Sequence, residues 1–248
     1  MRLPHPITTA ATISALALAG PTALADEAGS KALAATEAAI NKAQTTYLEY
    51  EAVTLETGKA EKKLGMNVWI KGDKRLTEFT APADMKGTKI LVLSPTEMYV
   101  YLPAFGKVRR ITSHAADQSA FGLAFSQDDL STQRYSPSYA ADQSSATDAE
   151  IKLTLTPQAG KTTTYPKIRM TIAKDKNVPT QLEYFDTEGK QMKTETRSGY
   201  TCEGDVCGAA TLEMIDHTKS ITTTLTRKKW KVNEAIGDET FSKRNLEK

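Results

Sequence analysis

Hydrophobic and polar positions alternate with period two through most of this chain. Between Glu97 and Leu102, Met98, Val100 and Leu102 fall on one face of a strand and Tyr99 and Tyr101 on the other. Neither face is strongly polar, which fits a sheet covered on both sides better than one with a fully wet side. The same alternation sets Ile151, Leu153 and Leu155 on one face, and then Ile168, Met170 and Ile172 against Lys167, Arg169 and Thr171. Runs rich in Thr, Val, Ile and Tyr, separated by short turn sequences such as Gly58-Lys59, Gly72-Asp73 and Asp186-Thr-Glu-Gly, extend the pattern.

The spacing predicts strands over 45–56, 60–71, 74–80, 88–93, 97–102, 107–112, 150–156, 165–173, 178–185, 190–202, 207–216 and 220–232. This amounts to about eleven strands in a strongly curved antiparallel sheet, because turns this short and regular exclude a βαβ plan. Helix enters in two places. An Ala-rich stretch without a breaker after Gly29 predicts a helix over 30–43, and Ser126-Gln-Asp-Asp129 has the form of a capping box that begins a short helix reaching Leu130. Residues 136–148, dominated by Ser, Ala, Asp and Pro, read as a solvated connection.

One stretch follows neither period. Residues 113–126, SHAADQSAFGLAFS, place Phe121, Leu123 and Phe125 around Gly122. Left exposed, this piece would make a poor surface, so it is expected to cover something apolar as a lid or cavity wall.

The first 25 residues change the picture of where the chain works. Arg2, an apolar run over 7–20 and Ala23-Leu24-Ala25 before Asp26 form the order of a secretory signal peptide, with cleavage expected after Ala25. No cysteine lies beside that site for acylation. The expectation is a signal peptide over 1–25 and one domain over 26–248, exported to the periplasm. Removing the leader takes one of 32 basic residues and none of the 30 acidic ones, and this near-neutrality argues against nucleic acid as a partner. Arg109-Arg110 and Arg227-Lys228-Lys229 are local exceptions, expected to face water or discourage edge pairing.

Cys202 and Cys207 flank Glu203-Gly204-Asp205, which is turn chemistry, and so sit on facing positions of a hairpin where export favours a disulfide. Catalytic chemistry finds little support. His114 and His217 are the histidines left after leader removal, and neither a Gly-x-Ser-x-Gly elbow nor a phosphate-cradling glycine loop is present. Asp128 and Asp129 read as capping and dipole partners at a helix start. The expectation is a protein without enzyme activity, cofactor or metal. An apolar interior is the remaining candidate site: Met98, Val100, Leu102, Leu153, Ile168, Met170 and Met214 could line a cavity, with Phe121, Leu123 and Phe125 in its lid. A filled core carries the same alternation as a lipid cavity.

An ordered series of motifs bears on that choice. Trp69-Ile-Lys-Gly-Asp, Pro82-Ala-Asp-Met-Lys-Gly-Thr, Met98-Tyr-Val-Tyr-Leu-Pro-Ala, Lys107-Val-Arg-Arg-Ile and Phe125-Ser-Gln-Asp-Asp-Leu resemble the LolA-like outer-membrane lipoprotein-sorting proteins. The resemblance is strongest over residues 66–130. It implies an incomplete antiparallel β-barrel closed by helices, with a hydrophobic cavity for lipid or lipoprotein acyl chains. The function expected from it is periplasmic carriage of such cargo toward the outer membrane. An inner-membrane lipid exporter and an outer-membrane acceptor are the partners implied. The alternative of another class is a periplasmic sensor that binds a lipid-linked or protein signal with the same fold.

Overall fold

The computed structural model describes residues 26–94, 96–111, 120–132 and 134–248. Residues 1–25, expected to be a leader, and His114 therefore lie outside the described residues. Helix α1 (Glu27–Ile40) comes first, one turn earlier than expected, because Asp26 serves as its N-cap and accepts from the Gly29 amide. Gly29, Leu33, Thr36 and Glu37 are its buried residues, a spacing that places them on one face of the helix.

A first meander follows: β1 (Thr45–Glu56), β2 (Lys62–Lys71), β3 (Lys74–Ala81), β4 (Lys89–Ser94), β5 (Glu97–Leu102) and β6 (Lys107–Ile111). After α2 (Gln127–Ser131), a second meander runs β7 (Tyr139–Ala146), β8 (Glu150–Pro157), β9 (Lys167–Ala173), β10 (Val178–Phe185) and β11 (Gln191–Ser198). A small hairpin of β12 (Thr201–Glu203) and β13 (Val206–Gly208) interrupts it before β14 (Thr211–Asp216) and β15 (Ile221–Val232), and α3 (Lys243–Leu246) closes the chain. Thirteen strands form one antiparallel sheet in the order β6-β5-β4-β3-β2-β1-β15-β14-β11-β10-β9-β8-β7. The two meanders join where β1 pairs with β15, and β6 and β7 remain as unpaired edges. The sheet is thus an open one, an incomplete barrel.

Two expectations need correction. The described residues hold fifteen strands rather than about eleven. Part of the difference is β7, which occupies the stretch read as a solvated connection. Its composition, YAADQSSA, has low strand propensity, and it is a strand because β8 pairs with it and α1 packs on it. The rest comes from the segments expected over 190–202 and 207–216. Gly199, at φ 62°, ends β11 and sets β12 and β13 apart as their own two-stranded ribbon.

Both faces of the first meander are covered. On the inner face Leu48, Ala52, Met66, Val68, Phe79 and Ile90 belong to one large apolar cluster with Leu33 of α1 and Phe125. Alternate positions turn outward, where Leu76 and Leu91 pack with Phe241 and Leu246 of the C-terminal segment, flanked by Tyr99 and Tyr101. The period-two reading of Met98 and Val100 against the two tyrosines therefore matches the burial of each face. Among the described residues, no helix is long and apolar enough to cross a membrane.

Candidate functional site

β6 and β7 lie at opposite edges of the sheet, and the described part of the chain between them, residues 120–132, lies against the inner face as a cover. Leu123, Ala124 and Phe125 are each at most 1% exposed there. Phe121 lies against Phe79 with ring centroids 4.9 Å apart. Three polar contacts hold the cover. Lys62 Nζ donates to the Phe121 carbonyl at 2.6 Å, and the Ala124 amide donates to Thr223 Oγ1 at 2.8 Å. The third is α2 itself. Ser126 and Asp129 form the expected capping box, with Asp129 accepting from the Ser126 amide at 2.8 Å and Ser126 Oγ accepting from the Asp129 amide at 3.0 Å. The backbone bends to start this cover, with Phe121 at φ 52° and Gly122 at φ 76°. A left-handed phenylalanine is uncommon, and its ring packing against Phe79 offsets that cost.

Asp129 does more than cap. Its Oδ2 accepts from Lys193 Nζ at 2.7 Å, and its Oδ1 accepts from the Tyr165 hydroxyl at 2.7 Å. The Lys193 and Asp129 side chains are 8% and 1% exposed, so this is a buried ion pair between cover and sheet. Two positions along β11, Glu195 accepts from Tyr184 at 2.7 Å and from Arg197 at 2.7 Å. Burial and the Glu195 carboxylate push the Tyr184 hydroxyl well above its ordinary pKa. Burial opposes charging of Arg197, yet Glu195 outweighs it and holds that guanidinium charged above the usual arginine range. Sequence reading missed Lys193, Glu195 and Arg197 as interior residues. Their neighbours Thr194 and Thr196 are polar too, so period two gave no face to choose.

A cleft opens between cover and sheet, bordered by Met66, Phe79, Val92, Leu123 and Leu130, with Arg75 and Gln127 among its polar residues. Its volume is about 20 Å³, room for roughly one water. The interior is therefore closed in this conformation. Of the ten residues expected at a cavity, Met98, Val100, Phe121, Leu123, Phe125, Leu153, Ile168, Met170 and Met214 join the inner cluster, whereas Leu102 is half-buried at the end of β5. Only Leu123 of the ten borders the cleft. A roomier groove of about 310 Å³ lies elsewhere, beside Tyr47, Trp69, Lys229 and Lys231. Its lysines are already committed, Lys229 to Glu49 at 3.2 Å and Lys231 to Glu234 at 2.8 Å, so volume alone does not make it the better site.

Among the described residues, no group of three His, Cys, Asp or Glu side chains could hold a metal ion. His217 is a surface partner of Thr194 at 2.8 Å. Cys202 and Cys207 are joined by a disulfide across β12 and β13. The basic run after Thr226 is committed as well, with Lys228 3.2 Å from Glu51 and Arg227 over the Trp230 ring.

A family model described as an uncharacterized protein matches residues 71–248. The chain belongs to that family. Among curated proteins, no match was found. Solved structures give the fold its relatives. A domain described as an outer membrane lipoprotein-sorting protein, from Vibrio parahaemolyticus, superposes with a TM-score of 0.81 at 23% identity, covering 90% of this chain and 99% of that one. A DUF1329 family protein from Desulfovibrio piger reaches 0.80 at 21% identity, covering 88% and 98% of the two chains. A LolA superfamily protein from Nitrosomonas europaea reaches 0.73 at 17% identity, again covering 88% and 98%. The fold is thus LolA-like, and at these identities the likeness is one of fold. In this LolA-like fold the cover, α1 and the inner face of the sheet enclose the apolar interior.

Proposed function

We propose that this protein is a periplasmic carrier that takes acyl chains of lipid or lipoprotein against the inner face of its sheet, for delivery toward the outer membrane. The observation that carries the reading is the cover: a segment with Phe121, Leu123 and Phe125 laid across an open apolar sheet, held to the central strands β2 and β15 by a handful of polar contacts. Removing an acyl chain from water gains about 0.8 kcal/mol per methylene, so a twelve-carbon chain is driven by on the order of 10 kcal/mol into an available apolar cleft. The cover supplies the same kind of surface that such a chain would supply. Lifting Leu123 and Phe125 costs about 1.5–3 kcal/mol each, and an acyl chain in their place restores the burial. Methionines on the inner face, Met66, Met98, Met170 and Met214, suit cargo of variable shape.

The relatives support the reading by their descriptions, since the first is described as a lipoprotein-sorting domain. Inner-membrane lipid exporters and outer-membrane acceptors are the partners this role calls for, and it calls for no catalytic group. The test is native mass spectrometry with lipid extraction on protein purified from its own periplasm. A defined lipid or acylated peptide, displaced by a competing amphiphile, is the expected result. A clean protein mass that takes up no amphiphile would return the inner face to ordinary core and end the carrier reading.

A further inference from the structure

Arg75, Lys193 and Arg197 are cations that stand on the inner face of the sheet or against it. Two are answered by carboxylates, Lys193 by Asp129 and Arg197 by Glu195, each at 2.7 Å. Arg75 is not. Its Nε is fully enclosed and has no hydrogen-bond partner, and the same holds for Nε2 of Gln127. Arg75 and Gln127 border the same cleft, the arginine from β3 and the glutamine from the first turn of α2. The walls around them are mostly apolar, including Met66, Phe79, Val92 and Leu225, with the hydroxyl side chains of Tyr50, Thr77 and Ser131 among them.

Arg75 as a whole is half-buried, but an enclosed donor without an acceptor is costly, and more so on a cation. Two such donors in one cleft, whose walls are otherwise apolar or carry neutral hydroxyls, define what would relieve the cost: an oxygen anion. Burial lowers the pKa of Arg75 from its ordinary value, the direction expected for a cation without a counter-ion, although arginine stays charged in proteins. The adjoining apolar surface specifies the remainder of the ligand.

We infer that Arg75 and Gln127 form a subsite for the phosphate or carboxylate headgroup of an anionic amphiphile, whose chain lies along the apolar wall of the cleft. This deepens the carrier reading and rests on it. A guanidinium offers a fork of donors that matches two oxygens of a phosphate or carboxylate, and the glutamine amide adds a third donor. Gln127 belongs to the cover, so the headgroup would be gripped from the sheet and from the cover together. The present volume admits no headgroup, and entry requires α2 to move outward.

The test compares binding of dodecyl phosphate, laurate and a neutral dodecyl maltoside to the wild-type protein and to Arg75→Met, by isothermal calorimetry. Methionine keeps the length and apolar stem of the side chain and removes the charge. The wild type should prefer the anionic amphiphiles by roughly tenfold or more over the neutral one, the range of a charge-assisted hydrogen bond. Arg75→Met should lose that preference and keep its affinity for the maltoside. Gln127→Leu should weaken the preference by a smaller factor and serves as the second variant should the arginine replacement fail to fold. If the wild type binds all three alike, or if both variants keep the preference, the subsite is wrong while the carrier stands. If none of the three binds, the carrier reading falls and takes the subsite with it. Inorganic phosphate is run as a competitor. Displacement by it as effective as by dodecyl phosphate would mean a free-anion site and overturn the amphiphile assignment.

Discussion

Lys193 and Asp129 meet at 2.7 Å with almost no access to solvent, and what each would do alone sets the value of the pair. Replacing Lys193 by methionine leaves the Asp129 carboxylate buried against Tyr165 without its counter-charge. Breaking a buried pair from one side costs about 3–5 kcal/mol, far more than any exposed pair contributes. The expected result is a fall of that size in the unfolding free energy from urea titration, and a loss below about 1 kcal/mol would show that the pair does not secure the cover. Gly29 offers a second residue-scale check. Helix propensity favours alanine there by about 1 kcal/mol, yet a Cβ at this position would collide with the Ala141 carbonyl of β7. Gly29→Ala should therefore destabilise, as read from thermal unfolding, and a stabilised variant would contradict the tight seating of α1. At this scale the sequence was only partly legible. Ser126 and Asp129 announced the capping box by their spacing, whereas nothing in it told that Asp129 would also meet a lysine 64 residues away.

Elements were more readable than their partners. Strands β1, β5 and β10 begin and end where alternation and turns place them, since each pairs on both sides, β5 and β10 within a meander of short loops and β1 with β2 and the distant β15. β7 escaped because pairing imposed a strand on a sequence that has little preference for one. The cover was recognisable from Phe121, Leu123 and Phe125 as apolar residues without a period, while Arg75 was not, since Arg75, Thr77 and Phe79 mix polar and apolar on one face. The disulfide hairpin carries its own expectation. It closes a loop of only a few residues in an exposed ribbon apart from the main sheet, so the chain-entropy model gives about 2 kcal/mol for it. Cys202→Ser with Cys207→Ser should raise amide exchange in residues 201–208 and leave β11 and β14 protected. Loss of protection through the main sheet would assign the ribbon a larger role.

For the molecule as a whole, tyrosines are the group most affected by burial. Burial pushes the Tyr200 hydroxyl up to about 12, and it raises those of Tyr50, Tyr135, Tyr139, Tyr165 and Tyr184 as well. An unfolded tyrosine ionises near pH 10. A folded pKa above that value means stability fully present below about pH 10 and lost as pH rises toward the folded value. Tyrosinate absorbance should thus show these buried tyrosines silent through the ordinary range near pH 10, with Tyr200 ionising only near pH 12, and their signal appearing together with loss of far-ultraviolet strand signal. Gradual ionisation of all of them between pH 10 and 11, with the fold intact, would contradict the closed interior.

The joint between the two meanders has a consequence for how the chain comes to be folded. β1 lies near the start of the described residues and β15 near the end, yet they are neighbours in register from Thr46 opposite Val232 to Glu56 opposite Ile221. A chain made amino end first can assemble β1 to β6 early, but β1 then waits with one side unsatisfied until β15 has been made. Such a long-range closure is slow. Truncation after residue 219 should give a collapsed, protease-sensitive product even though every residue of the first meander is present. A truncated chain as resistant as the full one would mean that the early half folds alone. If the closure holds, β15 sets the timing of the whole fold: the two meanders become one sheet only once this strand has docked on β1.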